Sequence, residues 1–450
     1  MDLKPDVLIV GAGISGTAMA ISLRRRGLSV LLVERDAQVR ERFKGEYLQP
    51  VAVQRLEKLG LGQVIDGALK DGEATAIREL RFRDLASGSL LSKAFSFISG
   101  SGTSGEPLSD VLVRYPQGSR GISISQHALS ARLREVARLE LQGDFLEGVE
   151  LKLQSKNLDR PRFLANGVRI LPRLVIGADG RNSTVRGWMG GPKAAATGKP
   201  VVGAETEFLV GVDFETDARL PHRYEVIRTA GEGTFSFFQL SSGRQRLYWN
   251  TQDATAGKQG WRERISAILD SQVSQQLGQK SEIGQLAGAP ANTAWMGPVG
   301  KGRFLLVGDA VAVTTPLGGQ GMAFALEQVE RLAEEIPALF KGSTGARRLS
   351  VEQLRRVSRR HHASSRRYFH HINLMNLFLY HLCFSRSRVA RHLSRAVFSH
   401  WNQNPDAREL VAEYFAGTRV SGLTPLRIAE LLGLPGLSRV RSLSRLDTIT

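Results

Sequence analysis

Gly11, Gly13 and Gly16 follow an apolar run directly, and Glu34 closes a second one. In Gly-x-Gly-x-x-Gly, the first glycine permits a tight turn. The second lets the backbone approach a pyrophosphate, and the third allows close packing of helix on strand. Free N–H groups at the start of the helix then face the phosphates, and an acid at Glu34 suits the hydroxyls of an adenosine ribose. A glycine triplet is also compatible with a mere turn, and this motif by itself leaves FAD and NAD open. Two more groups lie far downstream. One is Val175-Ile-Gly-Ala-Asp-Gly-Arg-Asn-Ser183 with Arg186 after it. The other is Phe304-Leu-Leu-Val-Gly-Asp-Ala310, followed by Thr315-Pro-Leu-Gly-Gly-Gln-Gly-Met322. Taken singly, each reads as a strand ending in a turn.

Regular elements must hold these groups in place. Asp6 to Val10 and Leu28 to Val33 read as buried strands. The helix between them ends at Arg24-Arg25-Arg26 before Gly27, with basic residues in its last turn and glycine as the stop. Leu174 to Gly177 and Phe304 to Val307 read as further buried strands. Gln126 to Leu139 has the pattern of an amphipathic helix, and a long helix starts near Gly321. Leu80 to Asp84 and Val111 to Arg114 look like strands flanking a glycine-serine loop at 99–105. From about 200 to 250 apolar and polar positions alternate, as in a sheet with one solvated face.

Together and in this order, the three motifs resemble those of flavoprotein monooxygenases of the para-hydroxybenzoate hydroxylase type, over residues 5–340. The resemblance implies FAD as cofactor and NAD(P)H as a transient co-substrate with no Rossmann domain of its own. It carries cofactor contacts to Gly11, Gly13, Gly16, Glu34, Arg35, Gln126, Asp179, Gly308, Asp309, Pro316, Gly319, Gly321 and Met322. Asp309 would meet the ribityl chain, Pro316 to Met322 would lie beside the isoalloxazine, and Asp179-Gly180 would serve FAD and the passing nicotinamide. A finer likeness covers Gly45-Glu46-Tyr47-Leu48-Gln49-Pro50, Leu56 and Leu59-Gly60-Leu61, which is similar to segments of squalene epoxidase and some flavin halogenases. Tyr115-Pro116 and Gly121 to His127 resemble the epoxidase pattern, with Gln126 where many hydroxylases have arginine. Val311 to Thr315 departs from the epoxidase's Asn-Met-Arg-His run.

The resemblance implies a monooxygenase in which NAD(P)H reduces FAD and O2 adds at the flavin C4a. The hydroperoxide then hydroxylates or epoxidises a hydrophobic isoprenoid, polyene, polyketide or aromatic substrate. Gln49 and Glu46 are the catalytic candidates at the flavin–substrate boundary, with Glu46 as a mere loop anchor the alternative. A flavin-dependent reductase of isoprenoid double bonds is the first rival. A halogenase or non-catalytic relative is the second, although the Trp-x-Trp-x-Ile-Pro run of halogenases is absent.

The expected fold is α/β. A Rossmann-like FAD domain draws on 1–74, 113–189 and 291–345, a β-sheet substrate domain on 75–112 and 190–290, and a helical, basic region on 346–450. With 450 residues, 42% hydrophobic and 23% charged, the chain has an ordinary globular composition. Cys383 is the single cysteine, which excludes an internal disulfide and a multi-cysteine zinc site. No metal is expected, since the His361-His362 and His370-His371 pairs have no nearby carboxylates in sequence. No apolar run reaches the roughly 18–20 residues of a membrane-spanning helix. Residues 341–450 hold 19 of the 61 Lys and Arg against 6 of the 43 Asp and Glu, so 13 of the net +18 belongs to the tail. That argues for a local anionic partner rather than a nucleic-acid surface. Two apolar stretches framed by arginines, from Ile372 to Phe384 and from Leu423 to Leu437, fit either membrane-surface helices or a cap packed on the FAD domain. The expected location is the cytoplasm, or the inner face of a membrane if the tail binds lipid.

Overall fold

Val7–Val10, Val30–Glu34, Leu174–Gly177 and Phe304–Leu306 are apolar on both faces, as strands of a parallel sheet covered above and below must be. In the computed structural model they lie side by side. The structure describes residues 2–40, 46–84, 109–155, 157–192, 208–216, 222–229, 233–251, 260, 261, 263, 265, 280–290, 293–315, 319–341, 349–384, 388–418 and 429–432. The loop expected at 99–105, Gly45, Pro316 and most of the stretch from Leu423 to Leu437 fall outside these residues.

The chain is α/β and divides into two compact units. The first is made of residues 1–74, 124–201 and 292–373, the second of 75–123, 202–291 and 374–450. The tail from 346 onwards is therefore shared between the two units.

In the first unit, the sheet order is Gly300–Lys301, Phe304–Leu306, Leu174–Gly177, Val7–Val10, Val30–Glu34, Phe145–Glu147. All neighbours are parallel except the edge strand Gly300–Lys301. Successive segments add to one side of Val7–Val10 and then to the other. Its carboxyl end is thus the point where the strand order reverses, the usual ligand position in such sheets. Val7, Leu8, Ile9, Val175 and Ile176 are fully buried. The helices Ile14–Arg25, Gln126–Leu141 and Gln320–Phe340 each bury an apolar stripe.

In the second unit a seven-stranded sheet has the order Lys280–Pro290, Phe208–Thr216, Arg244–Thr251, Gly233–Ser241, Arg223–Thr229, Glu79–Asp84, Ser109–Arg114. All pairs are antiparallel except Arg223–Thr229 with Glu79–Asp84. Val210, Val212, Phe235, Phe237, Leu247 and Trp249 form its apolar core on one face, with Trp261 and Ile265. Register puts Phe82 on the opposite face, where it packs on Phe398, Trp401 and Phe415 from the helices Arg388–Gln403 and Pro405–Ala416. On that face Arg228 bridges Asp84 at 2.6 Å, Ser394 Oγ at 2.8 Å and the Leu382 carbonyl at 3.2 Å. Arg395 adds a second cation to Asp84 at 3.2 Å.

Asp84 is fully buried, so removing its charge strands Arg228 in the interior. Asp84→Ala is expected to cost about 3–5 kcal/mol in denaturant unfolding. Arg114→Ala, which deletes an exposed partner of Glu79, should cost less than about 1 kcal/mol.

Candidate functional site

The chain leaves the strand Val7–Val10 at Gly11, whose φ of +100° is a conformation that side-chain-bearing residues rarely adopt. A Cβ there would stand 2.7 Å from the Ala178 carbonyl oxygen and 2.9 Å from the Asp179 Cα, so the glycine loop sits directly on the second motif. A Cβ on Gly16 would overlap the Gly11 carbonyl oxygen, which makes Gly16 a packing requirement. Gly13 is different, because no atom lies within 4 Å of where its Cβ would be. The helix Ile14–Arg25 that follows has no side-chain cap and no acidic residue in its first turn. Its first N–H groups remain available to an anion over an open backbone cradle.

Glu34 closes the next strand, and its carboxylate accepts from Ala12 N at 2.7 Å and Asp36 N at 2.9 Å. Arg134, on the helix Gln126–Leu141 and only 5% exposed, donates to the Ala12 and Asp36 carbonyls at 3.1 and 3.2 Å. Its guanidinium lies 3.6 Å from Glu34. The end of the loop at Ala12 is thus organised by an acid and a buried arginine together. Arg35, by contrast, is exposed, with Asp36 3.9 Å away.

Asp179 acts locally. Its carboxylate accepts from the Ser183 hydroxyl, from Thr184 N at 2.6 Å and from Val185 N at 3.1 Å, which caps the short helix Thr184–Trp188. Burial pushes this carboxyl's pKa up, against the hydrogen bonds that hold it down. Arg186, 1% exposed, donates to the Arg181 carbonyl at 2.7 Å, the Pro192 carbonyl at 2.9 Å and the Ala310 carbonyl at 3.0 Å. Burial lowers its pKa, while Asp179 opposes that shift. The second motif is in this way clipped to the third.

Gly308 turns the chain after the strand Phe304–Leu306 with φ +65°, and a Cβ there would stand 2.7 Å from Ser15 Oγ. The Gly308–Asp309 turn therefore adjoins the first helix, and Asp309 is half-buried. Gly319 begins the helix Gln320–Phe340, another helix start without a side-chain cap or an acid in its first turn. Tyr47 lies against Gly319, with its ring 3.0 Å from a Cβ placed there. Gly321 and Met322, both half-buried, occupy the first turn.

The segment 46–50 joins the remaining pieces. The Glu46 carbonyl accepts from Ile124 N at 2.9 Å, beside Gln126, while Tyr47 reaches Gly319. Glu46 and Gln49 are 3% and 1% exposed, and the Gln49 side chain does not cap the helix Pro50–Lys58 that it precedes. Arg55, one turn into that helix, donates to the Ala323 carbonyl and to Tyr368 Oη. It also pairs with Glu330 at 3.4 Å, which fixes the segment against the helix Gln320–Phe340.

The FAD cradle is consistent with these contacts on an independent count. Gln126 Oε1, Thr315 Oγ1 and Gln320 Oε1 are buried polar atoms without a hydrogen-bond partner, and all three lie on segments named by the motifs. Buried polar atoms in folded proteins are nearly always satisfied, so these three are available to polar groups of a ligand, as are other such atoms elsewhere in the chain. Arg134 was not singled out by motif. Its signal is periodic: it falls on the buried stripe of Leu129, Ser130, Leu133, Ala137 and Leu141.

Gly13→Ala is expected to leave folding intact and to weaken FAD capture, by roughly tenfold or more for a methyl placed against a phosphate. Gly16→Ala should instead destabilise the fold itself. Thermal unfolding of the apoprotein and titration with FAD by fluorescence distinguish the two.

The sequence comparisons agree with this geometry. The chain is 28% identical to the ubiquinone hydroxylase UbiL of Rhodospirillum rubrum over 345 residues, covering 75% of this chain and 73% of that one. It is 26% identical over 352 residues to squalene monooxygenase of Mus musculus, covering 75% of this chain. The matched region spans only 56% of the length of that relative. The fold is similar to that of p-nitrophenol 4-monooxygenase from Pseudomonas putida, with TM-score 0.71, 17% identity, and coverage of 94% of this chain and 100% of the other. Residues 4–363 match the FAD binding domain family, so the chain belongs to that family and FAD is its cofactor.

Proposed function

We propose that the protein is an FAD-dependent, NAD(P)H-using monooxygenase that hydroxylates or epoxidises a hydrophobic small molecule. The observation that carries this reading is the meeting of the buried segment 46–50 with the uncapped helix start at Gly319. An unneutralised helix start stabilises negative charge, as on a reduced flavin. The relatives named as a squalene monooxygenase and a ubiquinone hydroxylase support oxygen insertion into an isoprenoid-type or ring substrate.

Bound FAD supplies two-electron exchange with NAD(P)H and the activation of O2. The chain's own contribution is placement. Gly11 to Gly16 and Glu34 would hold the dinucleotide end of FAD, the turn at Gly308–Asp309 its middle, and Gly319 to Met322 its ring. Glu46 and Gln49, buried next to that loop, border the substrate and exclude water. NAD(P)H-dependent O2 uptake with isoprenoid, polyene and phenolic substrates tests the reading. Turnover of an isoprenoid double bond without O2 would replace it with a reductase. Gln49→Ala is expected to lower product formed per NAD(P)H, with turnover down roughly tenfold, the scale of one lost hydrogen bond at a reacting centre.

Among the described residues of the tail, one part supports a membrane-surface contact. Ile372, Met375, Leu379 and Leu382 are all buried at 5% or less, so most of that apolar face is used in packing. Val389 and Leu393, one turn apart on the helix Arg388–Gln403, are 69% and 62% exposed in an arginine-rich sequence. Among the described residues no helix is long and apolar enough to cross a membrane. Flotation with anionic phospholipid vesicles is expected, and Val389→Ser with Leu393→Ser should abolish it. If the full chain never floats, the contact does not exist.

A further inference from the structure

A chain of buried polar side chains stands behind the turn at Gly308, and no motif points to it. Val307 is the last residue whose N–H joins the sheet ladder, at 2.9 Å from the Gly177 carbonyl. The neighbouring backbone groups are taken up by side chains. Gln328, fully buried on the helix Gln320–Phe340, accepts from Gly308 N at 2.7 Å and donates to Ser365 Oγ at 2.9 Å. His361, fully buried on the helix Val351–Leu379, lies with Nε2 2.7 Å from the Leu306 carbonyl and Nδ1 3.0 Å from Arg331 Nη2. Ser365 Oγ closes the circuit at 3.4 Å from the same Nδ1.

The proton positions follow from the partners. A carbonyl only accepts and a guanidinium only donates, so His361 is neutral, with its hydrogen on Nε2. Burial, then Arg331 and His362, hold its pKa down to about 3, although the Leu306 hydrogen bond opposes them. Glu327 belongs to the same cluster. It pairs with Arg331 at 3.2 Å and accepts from Ser364 at 3.2 Å. The circuit of Gln328, Ser365, His361 and Arg331 holds both the last strand carbonyl and the first turn amide before Asp309.

We propose that His361 and Ser365 are positioning residues for FAD: through Leu306 and Gln328 they set where Gly308 and Asp309 meet the cofactor. This rests on the reading of Asp309 as a flavin contact. The family match ends at residue 363, two residues before Ser365. A role confined to stability would lower the melting temperature of the apoprotein and leave its affinity for FAD unchanged. A positioning role lowers the affinity for FAD as well.

The test uses the full-length apoprotein, titrated with FAD by fluorescence. Flavin absorption, the midpoint potential of the reconstituted protein and apoprotein melting are recorded alongside. Ser365→Ala is expected to weaken FAD about three- to tenfold, the scale of one buried hydrogen bond, and to shift the flavin spectrum, beside a modest fall in apoprotein melting. His361→Phe should weaken it further. His361→Gln, which keeps a donor for Leu306, should recover much of the loss. Asp309→Ala must weaken FAD in the same assay. If it does and Ser365→Ala and His361→Phe match the wild type in affinity and potential, the positioning role is overturned and the flavin reading of the turn stands. If Asp309→Ala itself binds FAD normally, the proposal falls with its foundation.

The depressed pKa also fixes a sign. Below the unfolded value of 6.5 the unfolded chain binds the proton that folded His361 refuses. Its contribution is therefore complete above pH 6.5 and is lost as pH falls towards 3. Denaturant unfolding at pH 7 and pH 5 should show a smaller drop for His361→Gln than for the wild type.

Discussion

A parallel sheet ends several strands at one edge, and the backbone groups released there must find partners or a ligand. That constraint organises the first unit. At the end of Val7–Val10 the released amides are left open over Gly13. After Leu174–Gly177 the Asp179 carboxylate takes the first amides of the helix Thr184–Trp188, and at the end of Phe304–Leu306 Gln328 takes the Gly308 amide while His361 donates to the Leu306 carbonyl. One strand end leads into open helix amides while its neighbours' groups are closed by side chains. The difference between them is what makes a site rather than a frayed edge.

The two arginines that close this edge work at a cost that only full satisfaction can offset. Arg186 reaches three carbonyls, and Arg134 reaches two carbonyls besides its carboxylate neighbours. Cations buried among carbonyls are rigid, because no rotation offers a better set of partners. In the second unit Arg228 plays the same part between Asp84, Ser394 and Leu382. Each unit thus fastens a later segment of chain to its sheet through one guanidinium.

The α/β class, the four central strands and the glycine cradle were legible because each depends on contacts close in sequence. The βαβ unit needs only its own apolar runs, and Gly11 and Gly16 needed only their spacing. The membrane reading of Ile372 to Leu382 was less secure, since an apolar helix face looks the same whether lipid or protein covers it. Asp179 reads as a cofactor contact from its motif, and spacing does not show that its oxygens also accept from Ser183 and Thr184, a few residues on. The circuit through His361 could not be read at all from spacing, since its partners lie 30 and 55 residues away. What could have been noticed is that His361 and Ser365 continue the buried stripe of Leu354 and Val357. A polar residue in an apolar stripe has to be satisfied by something.

The helix Val351–Leu379 has a consequence for modularity. The region shared with the family stops in the middle of it, at residue 363, yet Ser365, Tyr368 and Phe369 beyond that point pack against Gln328, Arg55 and Trp295. The flavin domain of this chain is therefore not a detachable cassette. Its last helical turns have been drawn into the interior, so recombination at the family boundary would separate a cofactor site from part of its own foundation.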